Sequence, residues 1–262
     1  MTKTVWMSPN IEKNYFQDST CFGVIINEMI MNDTLFATIN NRRLYYDPMF
    51  SNSNLTKAEK AEILPQYWLE LEDAISKSSF SNEQIPDLLK STDEFRLKKS
   101  VLPAFKLIAD NDGSNRNIVI FSAGLENIIR YELLQNNFNM EKISIISNEI
   151  DEKTRRFRAD HKLITSVDKR VFDLSELILD DEVDLFISFG DSFSDSEMVT
   201  EDRIKHSQRI VKVGLINQKN LSDVESLRST MEKFATAFDV LIINDEEFDD
   251  VLYLLRLILD KN

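Results

Sequence analysis

Short, mostly apolar runs separated by stretches of helical period dominate the second half of the chain. Asn117-Ile118-Val119-Ile120-Phe121, Ile143-Ser144-Ile145-Ile146, residues 183–189, residues 209–215 and Val240-Leu241-Ile242-Ile243 are each too short for an ordinary helix and rich in β-branched residues. Such runs predict strands buried on both faces, as in a parallel sheet. Between them, Leu125, Ile128, Ile129 and Leu133 fall on one helical face. A closing helix places Phe248, Val251, Leu252, Leu255 and Leu259 together. Strands that alternate with helices imply βαβ units and hence an α/β fold built on a doubly wound parallel sheet.

The first hundred residues read differently. Residues 1–20 have weak periodicity and are expected to form an arm or helix, and Phe22-Gly23-Val24-Ile25-Ile26 is the first buried strand candidate. Residues 40–54 are polar and turn-rich, a connection leaving one domain for another. Thr56-Lys57-Ala58-Glu59 is a capping box opening a helix with Ile63, Leu64, Tyr67, Trp68 and Leu71 on one face. A second helix is predicted over 83–90 and a third over 93–109, kinked or broken at Pro103. The expected division is an arm and first core strand over 1–38, a small helical unit over 39–100, and an α/β core over 101–262.

Composition narrows the function classes. With 42% hydrophobic and 29% charged residues, 262 residues can bury a large core. No apolar run reaches transmembrane length and the start lacks a secretory h-region, so a cytoplasmic protein with no membrane partner is expected. Cys21 is the only cysteine, which rules out an internal disulfide and a cysteine metal site. A formal net charge of −14 argues against a nucleic-acid partner, because phosphate backbone would approach a repulsive field, although a local cationic pocket could still hold one phosphate.

Candidate chemistry centres on Gly190-Asp191-Ser192-Phe193-Ser194-Asp195, where an apolar strand ends in a loop with two acids four residues apart. Loops at the carboxyl ends of parallel strands are where open α/β sheets bind ligands. Asp191 and Asp195 have the spacing to hold a hard cation through oxygen, while the plainer alternative has Asp191 capping the following helix.

Three stretches in order, Phe121-Ser122-Ala123-Gly124, then Lys169, then Gly190-Asp191-Ser192-x-x-Asp195, resemble motifs two to four of the haloacid-dehalogenase superfamily. The pattern is most similar to the cytosolic 5′-nucleotidase III, or pyrimidine 5′-nucleotidase, family. The likeness extends through Leu55-Thr56-Lys57-Ala58-Glu59-Lys60, Ser147-Asn148 and residues 210–214 and 238–242, about 22–262 in all. It implies a Rossmann-like core with a small helical cap. It also implies a phosphate site at Ser122, Ala123 and Lys169, a cap pocket at Glu59, and Mg²⁺ held by Asp191 and Asp195. Each residue has a plainer alternative: Ser122 as a helix N-cap, Lys169 as a solvated surface lysine, Asp195 as a helix-start acid.

The first motif departs from that pattern. The family attacks a phosphomonoester with the first acid of Asp-x-Asp-x-Thr, and the second acid protonates the leaving group. Aligned on Val24-Ile25-Ile26, the chain has Asn27 and Met29 in those places; aligned on Thr34-Leu35 it has Ile30 and Asn32. The first register is preferred, since the second would bury Asn27 and Glu28 in a strand. After Lys169 the family's His-Asp-Gly is replaced by Arg170-Val171-Phe172. A carboxamide is a poor nucleophile, and loss of a nucleophile removes orders of magnitude of rate. The expectation is therefore a catalytically inactive nucleotidase-like protein that binds a protein partner, a nucleoside monophosphate or phosphate, with Mg²⁺ binding weakened. The alternative is an active Mg²⁺-dependent 5′-nucleotidase with a relocated acid, for which Glu28 and Asp33 are the nearby candidates.

Overall fold

The computed structural model describes residues 2–7, 45–46, 48–49, 52, 54–77, 81–87, 97, 99–109, 116–158, 163–165, 169, 183–198, 209–216, 223–243 and 248–259. Its elements are β1 (Thr2–Met7), α1 (Lys57–Lys77), a 3₁₀ turn (Asn82–Gln84), α2 (Val101–Ala109), β2 (Arg116–Leu125), α3 (Glu126–Gln135), a second 3₁₀ turn (Met140–Lys142), β3 (Ile143–Asn148), β4 (Val183–Gly190), α4 (Phe193–Met198), β5 (Ile210–Ile216), α5 (Val224–Phe234), β6 (Val240–Ile243) and α6 (Asp249–Leu259).

All strand pairs are parallel and the sheet order is β3-β2-β1-β4-β5-β6. The chain winds one way from β1 to β3 and the other way from β4 to β6, so the direction reverses between β1 and β4. The carboxyl ends of these two strands therefore border the crevice where such sheets take ligands. Register fixes the edge of that crevice, with Met7 opposite Ile120 on β2 and Phe189 on β4.

Alternate residues of each strand feed opposite faces, as strand geometry requires. Ile118, Ile120, Leu185, Ile187, Phe189, Val213, Leu215 and Ile242 face a layer made by α2, α3 and α6, with Phe105, Ile108, Leu133, Val251 and Leu255 buried in it. Val119, Phe121, Ala123 and Phe186 face the other way, with Ile164 and Met198. A Cβ at Gly214 would come within 2.9 Å of Phe238, in the turn after α5, and of Leu241 on β6, so glycine allows the close approach there.

The helical segment between β1 and β2 follows the sequence pattern in its best-patterned part. The Thr56 hydroxyl accepts from the Glu59 amide at 3.2 Å and the Thr56 amide donates to Glu59 Oε2 at 2.7 Å, closing the capping box. Leu64, Trp68 and Leu71 are buried, with Ile63 and Tyr67 half-buried beside them. Of the helix expected over 83–90, residues 82–84 form a 3₁₀ turn and 85–87 are helical, and the rest lies outside the described residues. The third helix starts at Val101, not near 93, so Pro103 sits in its first turn and causes no kink. A first-turn proline leaves no intrahelical bond unmade, because the amides there have no carbonyl one turn back.

The larger difference is at the sheet centre. Thr2–Met7, in the stretch expected to be an arm or helix, is the strand between β2 and β4, whereas the sequence makes Phe22-Gly23-Val24-Ile25-Ile26 the first strand candidate of the core. The physical reason is its pattern. Thr-Lys-Thr-Val-Trp-Met lacks the continuous apolar run expected of a central parallel strand, although threonine, valine and tryptophan all favour strands. Residues 22–26, Asn27 and Met29 lie outside the described residues. No described helix is long and apolar enough to cross a membrane.

The core assignment separates two leucines of α6. Leu255 is fully buried and Leu257 is 43% exposed. Leu255→Ala is expected to cost about 2–5 kcal/mol, and Leu257→Ala to stay within about 0.5 kcal/mol of the parent, in urea unfolding of the two variants.

Candidate functional site

The site residues gather at the carboxyl ends of β2 and β4, on either side of the β1 tip. Gly190 closes β4, Asp191 and Ser192 turn the chain, and Asp195 returns from the first turn of α4. Gly190 makes that return possible, since a Cβ on it would lie 2.2 Å from the Cβ of Asp195. Glycine is required here by close approach and not by dihedral angle.

Asp195 is 2% exposed and both its carboxylate oxygens are engaged. Oδ1 accepts from the Lys169 ammonium at 2.6 Å. Oδ2 accepts from the amides of Asp191 and Ser192, both at 3.0 Å, and from the Ser192 hydroxyl at 2.8 Å. Lys169 is itself 5% exposed, with its ammonium 5.9 Å from the centre of the Phe121 ring. A charge removed from water needs an opposite charge and hydrogen bonds to offset its lost hydration, and this pair has both.

The β2 tip is held from behind. Ser122 Oγ accepts from the Gly124 amide at 3.0 Å. The Ser147 hydroxyl donates to the Gly124 carbonyl at 2.8 Å. Asn148 Nδ2 donates to the carbonyls of Ala123 and Ile164, both at 2.9 Å, and its Oδ1 accepts from the Ile164 amide at 2.8 Å. One buried carboxamide thus ties the tips of β2 and β3 to the segment that leads towards Lys169.

The structure decides among the alternatives left by the sequence. Lys169 is buried, not a solvated surface lysine. Ser122 is not a helix cap, because β2 continues to Leu125, which occupies the N-cap position of α3. Asp195 does the work of a helix-start acid, taking the amides at the head of α4, and pairs with Lys169 as well. Asp191 is the exposed carboxylate of the two. Glu59 stands apart in the capping box, where the amide and hydroxyl of Thr56 hold its carboxyl below the ordinary glutamate value. Arg170, Val171 and Phe172 lie outside the described residues.

The described residues do not fit a hard divalent cation. Such an ion takes six or more oxygen ligands, several of them carboxylate. Both oxygens of Asp195 already face donors, and no group of three His, Cys, Asp or Glu residues converges among the described residues. Two contributors are quoted from the sequence only within motifs and are given no role there: Ser192 as a donor to Asp195, and Asn148 as the tie between strand tips. The loop spacing of Gly190, Ser192 and Asp195 is the one feature that could have pointed to the first.

Gly190→Ala should push Asp195 off the head of α4 and weaken its contact with Lys169. The expected cost is about 1–3 kcal/mol, read as a lower thermal midpoint, and an unchanged midpoint would contradict the close approach.

Comparison with known proteins bears on the family and the fold. Residues 10–259 match the sequence model of the family described as Pyrimidine 5'-nucleotidase (UMPH-1). The human 7-methylguanosine phosphate-specific 5'-nucleotidase is 24% identical over 243 residues, covering 91% of this chain and 77% of that protein. A Xenopus laevis protein, 7-methylguanosine phosphate-specific 5'-nucleotidase B, is 22% identical over 253 residues, covering 93% and 81%. Among solved structures, cytosolic 5'-nucleotidase IIIB bound to cytidine superposes with a TM-score of 0.74 at 20% identity, over 99% of this chain and 85% of that one. A probable phosphoserine phosphatase from Vibrio cholerae superposes with a TM-score of 0.57 at 12% identity, over 100% of this chain and 67% of that one, and shares the fold. With the doubly wound sheet, the three ordered motifs and a match spanning nearly its whole length, the chain belongs to the pyrimidine 5′-nucleotidase family.

Proposed function

We propose that this chain is a member of its family that binds without hydrolysing. The observation that carries the reading is that no carboxylate directly follows either Thr2–Met7, the strand between β2 and β4, or the apolar run over 22–26. Ser8 follows Met7, and Asn27 follows Ile26. Neither a hydroxyl nor a carboxamide matches a carboxylate as the acceptor of a phosphoryl group.

The charged residues support the same reading. Lys169 and Asp195 satisfy one another, so the ammonium is already largely offset and the carboxylate has no open oxygen for Mg²⁺. Any metal binding would rest on Asp191 and would be weak. What remains at the β2 tip, Ser122 and Ala123 beside Lys169, is an anion subsite of modest strength, suited to a nucleoside monophosphate or inorganic phosphate. A protein partner is the other occupant this reading admits. The single cysteine and the likeness to a cytosolic nucleotidase support a reducing, cytosolic setting.

A second reading is favoured by the names of the relatives, which are 5'-nucleotidases. In it Glu28 or Asp33 replaces the missing acid and the chain hydrolyses nucleoside monophosphates with Mg²⁺. Phosphate release from cytidine, uridine and 7-methylguanosine monophosphates in the presence of Mg²⁺ distinguishes the two. The expected outcome is release no greater than that of Asp191→Ala, with a melting midpoint raised by the nucleotide equally in Mg²⁺ and in chelator. Turnover that Asp191→Ala abolishes would establish the second reading, and the absence of any thermal shift would leave a protein as the occupant.

A further inference from the structure

Residues of β5 alternate between the two faces of the sheet, and Ile210, Lys212, Gly214 and Ile216 share the face on which α5 packs. Over the carboxyl half of the strand that face is closed. Ile216 is buried with Phe234 and Phe238, and Phe238 presses onto Gly214. Towards the amino end the face opens into a cavity of about 360 Å³ between β5 and the turn from α5 to β6, with Ile210, Lys212, Thr236, Phe238 and Asp239 in its wall. Small-molecule sites have volumes of this order. The crevice between β1 and β4 lies at the carboxyl ends of the strands, so the cavity is a separate place.

Two opposite charges border the cavity without meeting. Lys212 is half-buried, and among the described residues its ammonium has no carboxylate and no hydrogen-bond acceptor in reach. Its in-register neighbour on β4, Ser188, has a buried hydroxyl that also lacks a partner, so the lysine is not folded back across that strand. Asp239 is prevented from swinging over to it. The Asp239 amide donates to the Lys212 carbonyl at 2.8 Å, and Asp239 Oδ2 accepts from the Lys212 amide at 2.8 Å. This ring pins the carboxylate to the β5 backbone and leaves Oδ1 without a partner among the described residues. Helix α5 ends at the same cavity, with Ala235 as its C-cap, and brings the negative end of its dipole to the Asp239 side.

We propose that this cavity binds a small zwitterion of the α-amino acid type. Its carboxylate meets Lys212, its ammonium meets Asp239 Oδ1 at the end of α5, and an apolar side chain lies against Ile210 and Phe238. A ligand of one sign alone would gain one attraction and suffer one repulsion, whereas a ligand carrying both charges satisfies both walls. Lys212 and Asp239 are kept from neutralising each other by backbone geometry, which leaves each available to a ligand.

The test is calorimetric titration of the full chain with L-leucine, isocaproate, which lacks the ammonium, and isopentylamine, which lacks the carboxylate. Saturable binding of leucine is expected, with each analogue weaker by about tenfold or more. Lys212→Met keeps the apolar stem, and Asp239→Asn keeps an oxygen for the Lys212 amide. Each variant should weaken leucine by about tenfold or more. The comparison of analogues is made on the parent chain and does not depend on the variants folding. Absence of saturable leucine binding at about 10 mM overturns the proposal, and so does an analogue that binds as tightly as leucine. An unchanged leucine affinity in a folded Lys212→Met or Asp239→Asn variant also overturns it.

Discussion

An ammonium and a carboxylate taken out of water must each find a full set of partners, and the pair formed by Lys169 and Asp195 meets that demand at the one place where the sheet changes winding direction. Asp195 divides its two oxygens between Lys169 and the head of α4, so one side chain joins the β4 loop, the helix after it and the segment carrying the lysine. Gly190 lets the carboxylate come this close, and Phe121 forms one wall beside the ammonium. Removing either charge alone would strand the other, at a cost of about 3–5 kcal/mol. The residues that would handle phosphate and metal in a hydrolase are thus bound up in each other's stabilisation.

That pair is positioned by the apolar scaffold beneath it. Because β4 is buried on both faces, its backbone has no freedom to shift the Gly190 tip, and the layer formed by α2, α3 and α6 fixes the sheet from one side. Asn148 extends the rigidity to the β2 tip by bonding backbone groups on two neighbouring segments. A site built this way is preorganised, and at the β4 loop the exposed carboxylate is Asp191, in a chain of net charge −14.

Much of this architecture is legible in the sequence, for identifiable reasons. Strands buried on both faces read as continuous apolar runs, so β2, β4 and β6 stand out, and the helices between them show their period. The capping box at Thr56 and Glu59 is legible because its chemistry is local. The central strand is not, since Thr2–Met7 mixes lysine and threonine with valine and tryptophan while a more apolar run follows at 22–26. Asp191 and Asp195 look alike as a pair of acids four residues apart. Only the fold shows that the second is filled by amides, a hydroxyl and a lysine while the first faces solvent. Lys169 lies in a polar stretch with no pattern to signal burial, and resemblance to the family, not periodicity, marks it. The start of α2 is not legible, since a proline marks either an interruption within a helix or its first turn, and Pro103 takes the second role.

The central claim is that Lys169 and Asp195 hold one another, and a double-mutant cycle tests it most directly. Unfolding free energies would be measured for the parent, Lys169→Met, Asp195→Asn and the double variant. The account predicts that the double variant loses less than the sum of the two single losses, by about 2 kcal/mol or more, as expected of groups in direct contact. Losses that add to within about 0.5 kcal/mol would show that the two residues act independently and would contradict it.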